Sequence, residues 1–194
     1  SFKLNPLTSY EIVVDREGYL TKIERETTEG IELNKVFMVD LKMSPVKKEI
    51  ILPLIKYDFN KFDLRPESIS DLDNLAEALL DNPDVIIELK SHTDFVGSSL
   101  QNKRLSQKRA DACVDYLISK GIKTEQLVAR GMGENEPFVI EVKDGRFKVG
   151  DVLTESYVKK ILFRKNREAA NQYNRRTSFK VLINDSKPLE NQNK

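Results

Sequence analysis

The apolar positions of the first forty residues come in short runs rich in β-branched and aromatic side chains: YEIVV at 10–14, GYLTKI at 18–23 and VFMVDL at 36–41. Such runs, parted by turn residues at 16–18, predict short strands, and no helical period interrupts them. So few strands seldom hold a core of their own, so residues 1–46 are expected to be either an extra sheet on the following domain or, preferably, the C-terminal part of a β-sandwich. Pro45 and two lysines in MSPVKK, 43–48, break the pattern and mark a boundary.

From Glu49 the pattern turns α/β. IILPLIKYDF, 50–59, reads as a strand; Pro66, Glu67 and Ser68 open a helix whose Ile69, Leu72, Leu75, Ala76 and Leu79 share one face, and Asn82–Pro83 stops it. VIIELK, 85–90, is a second strand. Ser98 or Ser99 can cap a helix that runs to Lys120 and ends at Gly121. A helical turn at 124–127, a strand at 128–130 and a last strand at 177–183 follow, and the polar tail at 186–194 is expected to be disordered. Between them, 138–173 reads as an insert: a hairpin of FVIEV and RFKVG around Asp144–Gly145, then a helix capped by Thr154 whose continuity at 163–166 is open. The expected fold is an α/β (α+β) sandwich of βαβαβ type over 47–185, its helices on one face of a mixed sheet, preceded by a short all-β segment.

Composition narrows the function by exclusion. Among 194 residues, 32 Lys and Arg face 31 Asp and Glu, so no global field favours nucleic acid or an anionic membrane. The single cysteine, Cys113, rules out an intrachain disulfide framework. Nothing approaches the ~18–20 consecutive apolar residues of a membrane span, and the opening SFKLNPL lacks a signal-peptide pattern, so any export signal is expected to lie outside the sequence. With one histidine and no carboxylate loop of the calcium-binding kind, no metal or cofactor is expected.

The candidate chemistry lies in 86–117, IIELKSHTDFVGSSLQNKRLSQKRADACVDYL. Asp94 closes the second strand, and in the next helix Asn102, Leu105 and Arg109 recur at steps of three and four, so they share a face that looks back at Asp94. A carboxylate beside a guanidinium suits a zwitterion, an ammonium with a neighbouring carboxylate. The same pair could equally be an internal salt bridge. Ser91, His92 and Asp94 spell the letters of a hydrolase triad, but adjacent strand residues point to opposite faces, which argues against an enzyme.

These residues resemble the OmpA-like peptidoglycan-binding domains, a family that includes the Pal lipoproteins and MotB. Its pattern of GHTDxxG followed by NxxLSxxRA is met by His92, Thr93, Asp94, Gly97, Asn102, Leu105, Ser106, Arg109 and Ala110, with Ser91 in place of the first glycine. YDFNKFDL at 57–64, GMGENEP at 131–137 and NRR at 174–176 resemble its other motifs. The resemblance implies a periplasmic, non-enzymatic anchor at the cell wall and outer membrane. It would bind the diaminopimelate of the peptidoglycan stem peptide through Asp94 and Arg109, with Thr93, Asn102, Leu105, Asp58, Phe59, Asn60 and Arg176 around them. The β segment loosely resembles the end of carboxypeptidase-regulatory-like sandwiches. Together with the ending EAANQYNRRTSFKV it is similar to envelope proteins of Bacteroidetes, the PorE type of type IX secretion among them. A second reading is a protein–protein adaptor that uses the 138–173 insert, which is far in sequence from the paired charges and expected to leave the ligand site alone.

Overall fold

The computed structural model describes residues 3–16, 18–31, 35–43, 45–46, 49–53, 55, 57 and 61–184. In chain order these form β1 (Ser9–Val14), β2 (Lys22–Thr27), β3 (Ile50–Ile51), α1 (Ile69–Leu80), β4 (Val85–His92), α2 (Ser99–Ser119), β5 (Leu127–Gly133), α3 (Glu155–Lys160), α4 (Arg164–Asn174) and β6 (Thr177–Asn184). β1 and β2 make an antiparallel pair, and the main sheet runs β3-β6-β4-β5, with β4 and β5 parallel and the other pairs antiparallel.

Alternation along β4 separates the two faces of that sheet. Val85, Ile87 and Leu89 are buried in one core with Leu72, Leu75, Ala76 and Leu79 of α1 and Cys113 and Leu117 of α2. The residues between them face the other way: Glu88 pairs with Arg130 at 2.6 Å, and Lys90 with Glu136 at 3.1 Å and Glu49 at 3.3 Å. This is the mixed sheet with helices on one face that the sequence predicts.

α2 begins as its sequence dictates. Ser98 accepts a hydrogen bond from the Gln101 amide and Gln101 reaches back to the Ser98 amide, a reciprocal cap that satisfies two otherwise orphaned donors. The helix then lies against the backbone of β5, the sheet's outer strand. Gln107 accepts from Gly131 N at 2.9 Å, Ser106 from Gly133 N at 2.8 Å, and Lys103 donates to Gly131 O at 2.5 Å. These bonds occupy backbone groups that an open edge would present to another chain.

Several sequence expectations shift. VFMVDL is not a strand: Val36 and Met38 are 86% and 95% exposed, and among the described residues no strand pairs with it, so its apolar run has no core to face. The strand predicted at 50–59 shortens to Ile50–Ile51, because Pro53 has no amide for the ladder and the chain turns, Ile55 N donating to Leu52 O at 3.2 Å. The predicted hairpin forms only its tight turn and isolated bridges, Asp144 with Phe147 and Val139 with Val152. The predicted helix after Thr154 divides into α3 and α4, separated by extended backbone at Ile161 and Phe163. This segment nevertheless has a core of its own, in which Ile140, Phe147, Leu153, Val158 and Ala170 are buried and Phe138 stacks on Tyr173 at 5.1 Å. The tail at 186–194 lies outside the described residues.

The N-terminal hairpin is fastened to the end of α1. Asn82 accepts from Thr21 N at 2.9 Å and donates to Thr21 O at 2.7 Å, Asp81 accepts from Ile23 N at 3.1 Å, and Leu20, 2% exposed, joins the main core. Leu20→Ala is therefore expected to lower stability by about 2–5 kcal/mol, as for other buried leucines, seen as a lower urea midpoint for the whole domain. An unchanged midpoint would make the hairpin a separate unit. A second substitution tests the α2–β5 contact: a Cβ on Gly131 would stand 2.2 Å from Gln107 N. Gly131→Ala must push the helix off the strand, at a cost of about 1–3 kcal/mol or more in the same unfolding measurement.

Candidate functional site

At the mouth of the sheet, where β4 gives way to the loop before α2, Thr93 and Asp94 meet the face of α2 that carries Asn102, Leu105 and Arg109. All five line one cavity of about 560 Å³. Four are buried, with Asp94 at 7%, Thr93 at 5%, and Asn102 and Arg109 at 4% exposure; Leu105 is half-buried. The loop is held by its own residues: Asp94 Oδ1 accepts from Val96 N at 3.0 Å, Gly97 adopts a φ of 104°, and Asn102 donates to Asp94 O at 3.2 Å. Asn102 also bonds the Glu134 carboxylate, which ties the end of β5 to the same loop.

Arg109 is held from three sides. Its Nε donates to Lys61 O at 3.0 Å, its guanidinium lies 4.5 Å from the centre of the Tyr57 ring, and the Tyr57 hydroxyl donates to the Arg109 carbonyl at 3.3 Å. Burial pushes its pKa down, nearby Tyr57 and Asp94 oppose that, and Arg175 adds to it. Behind it, the Tyr57 hydroxyl is 3.3 Å from the thiol of Cys113, which is fully buried and whose pKa burial raises to about 11.

Asp94 has a close cationic partner one place before the arginine expected there. Arg175 Nη1 donates to Asp94 Oδ2 at 2.5 Å, and Arg175 also bonds Glu168 and Gln172. Burial would lower the Arg175 pKa, but its contacts with Glu168 and Asp94 outweigh this and raise it. Arg176, the neighbour expected at the ligand, lies elsewhere: both terminal nitrogens donate to Glu136 O at 3.2 Å, and its guanidinium sits 5.4 Å from the Phe138 ring centre. Arg175 caps α4 in a tight turn, φ −79° and ψ 81°, closed by Arg176 N donating to Asn174 O at 3.0 Å, and beyond that turn the two adjacent side chains take different partners. Asp58, Phe59 and Asn60 lie outside the described residues.

The insert, contrary to expectation, lines the cavity. Glu168, Asn171 and Gln172 of α4 recur at steps of three and four and, with Arg175 just beyond the insert, border the space that Asp94 and Arg109 share. That spacing, read in the sequence, would have grouped them; nothing in it shows which cavity they face. Tyr57 was equally available, as the first residue of YDFNKFDL.

Residues 56–150 match the OmpA family. The chain carries an OmpA-like domain. Outer membrane protein A of Escherichia fergusonii is 45% identical over 85 residues, which are 43% of this chain and 35% of that protein. The Salmonella typhi protein of the same name is 46% identical over 85 residues, 43% of this chain and 24% of the relative. The chain thus aligns with only a quarter to a third of these relatives' length. Among solved structures, the peptidoglycan-associated lipoprotein from Burkholderia pseudomallei superposes on 70% of this chain and 91% of its own, at 23% identity and a TM-score of 0.49.

OmpA-like domains are not enzymes, and the geometry at His92 fits that. Ser91 Oγ shares a hydrogen bond with Thr177 Oγ1 at 2.9 Å, while neither nitrogen of the His92 ring has a hydrogen-bond partner among the described residues. No serine–histidine pair is formed. Among the described residues no group of three His, Cys, Asp or Glu could hold a metal, and no helix is long and apolar enough to cross a membrane.

His92 carries a pH prediction. Burial, aided by Arg176 and Lys90, lowers its pKa to about 3, below the ordinary value near 6.5. Between those values the unfolded chain binds a proton that the folded one refuses, so stability is full above about pH 6.5 and declines on acidification, by up to ~1.4 kcal/mol per pH unit. Urea midpoints measured from neutral pH down to about pH 4 should fall less steeply for His92→Leu than for the unsubstituted chain.

Proposed function

We propose that this OmpA-like domain binds peptidoglycan non-covalently through the diaminopimelate of the stem peptide, and so anchors a larger envelope protein to the cell wall in the periplasm. The observation that carries the reading is the convergence of opposite charges, buried Asp94 and Arg109 with half-buried Arg175, on one cavity of about 560 Å³. The free end of diaminopimelate is an amino acid, one carbon bearing an ammonium and a carboxylate. Asp94 retains lone pairs for the ammonium beyond those used by Val96 and Arg175. Arg109 and Arg175 offer planar donors to the carboxylate, and half-buried Leu105 offers an apolar wall to the methylenes. Thr93 borders the same space, and its buried hydroxyl has no hydrogen-bond partner among the described residues.

The name of the Burkholderia lipoprotein, peptidoglycan-associated, agrees with this reading. Attachment of the parent protein to the outer membrane or to a type IX secretion assembly of Bacteroidetes is a narrower proposal, supported by the sequence resemblance alone. An adaptor role for the insert is the weaker alternative, because its helix α4 lines the charged cavity.

The test is sedimentation with purified peptidoglycan, with and without soluble diaminopimelate as competitor. Asp94→Ala and Arg109→Ala should each weaken binding about 30-fold to several thousand-fold, the ~2–5 kcal/mol expected when one member of a desolvated charge pair is removed. Melting temperatures taken on the same samples separate this from an internal salt bridge, for which alanine would lower stability and leave binding per folded molecule unchanged. Folded Asp94→Ala that still sediments with peptidoglycan would sink the proposal.

A further inference from the structure

The bend between α3 and α4 leaves two large apolar side chains in water. Leu162 is 88% and Phe163 72% exposed, whereas Ile161, immediately before them, packs against the insert's core. Isolated exposed apolar residues are ordinary, but the setting of this pair is not. From 157 to 167 the sequence is YVKKILFRKNR, five cations and no acid. Lys159, Lys160, Arg164, Lys165 and Arg167 are all exposed. Among the described residues, Lys159 alone in this run is matched by a nearby carboxylate, Glu155 one turn earlier at 2.6 Å. Arg167 donates to Ile161 O at 2.9 Å and the amides of Asn166 and Arg167 donate to Phe163 O at 3.1 and 3.0 Å, so the bend is built rather than slack. The overall charge of +1 conceals this local excess.

We propose that this bend is a docking point for an anionic lipid surface, with Leu162 and Phe163 entering the interfacial layer and the surrounding cations resting on lipid phosphates. Charge complementarity selects an anionic occupant. The shape selects a bilayer over a protein: the apolar pair projects from a bend, and a fluid interface receives such a projection without a preformed pocket. Apolar insertion and attraction to anionic headgroups add, which is why the two kinds of residue belong together. The proposal does not depend on what the charged cavity binds. It does set a geometry, because α4 has the bend at its start and cavity-lining Glu168, Asn171 and Gln172 further along. Eleven residues at ~1.5 Å each place the two sites within roughly 16 Å along one rigid helix.

The experiment uses the full chain and vesicles of phosphatidylcholine with or without phosphatidylglycerol. Co-sedimentation is expected only with the anionic vesicles and should weaken as salt is raised. Leu162→Ser with Phe163→Ser should reduce it by about tenfold or more, and Lys160→Glu with Arg164→Glu should abolish it, while peptidoglycan sedimentation and melting temperature stay unchanged. Because the chain contains no tryptophan, Phe163→Trp supplies a single indole whose emission should shift to the blue on anionic vesicles. Failure to bind those vesicles, binding indifferent to the serine pair, or an indole shift produced equally by polyglutamate would each overturn the proposal, the last in favour of an acidic protein partner.

Discussion

The tightest glycine contact among the described residues is that of α2 with the backbone of β5 at Gly131, where not even a methyl group fits. The site depends on it. Lys103, Ser106 and Gln107 bond the strand from one side of the helix, which fixes its rotation about its own axis. With ~100° per residue, that rotation turns Asn102, Leu105 and Arg109 toward Asp94. One glycine on a strand thus sets the azimuth of a guanidinium on the facing helix. The hydrogen bonds that stitch the edge of the sheet are the same ones that aim the cavity.

The charged cavity is assembled from distant segments, and Arg175 joins them. It reaches Asp94 at the end of β4 and Glu168 on α4 while standing just before β6. Asp94 and Arg109 both lie in the segment spanning β4 and α2, but the wall opposite them comes from residues some 60 to 80 positions later. The insert is therefore part of the cavity's shape, and differences in it between related chains would alter what the paired charges can admit.

Whatever depended on local period was legible in the sequence: α1, β4, α2 with its serine cap, and the shared face of Asn102, Leu105 and Arg109. What depended on tertiary partners was not. VFMVDL is as rich in apolar residues as YEIVV, yet only the second finds a strand to pair with. The choice between Arg175 and Arg176 turns on how the chain bends as it leaves α4, and two adjacent arginines carry no mark of that. The role of α4 was hidden for the same reason, since a helix has several polar faces and its period does not name the one that meets Asp94.

The buried cysteine has a consequence of a different kind. Cys113 lies beneath the Tyr57 hydroxyl, without solvent contact and with its thiolate disfavoured. Thiol exchange requires a thiolate that a disulfide can approach, and here both conditions fail while the domain is folded. An unpaired thiol is ordinarily a hazard in an oxidising compartment, where it invites mixed disulfides and crosslinked dimers. In this chain the hazard is confined to the interval before the tyrosine closes over it, so folding itself serves as the protecting group.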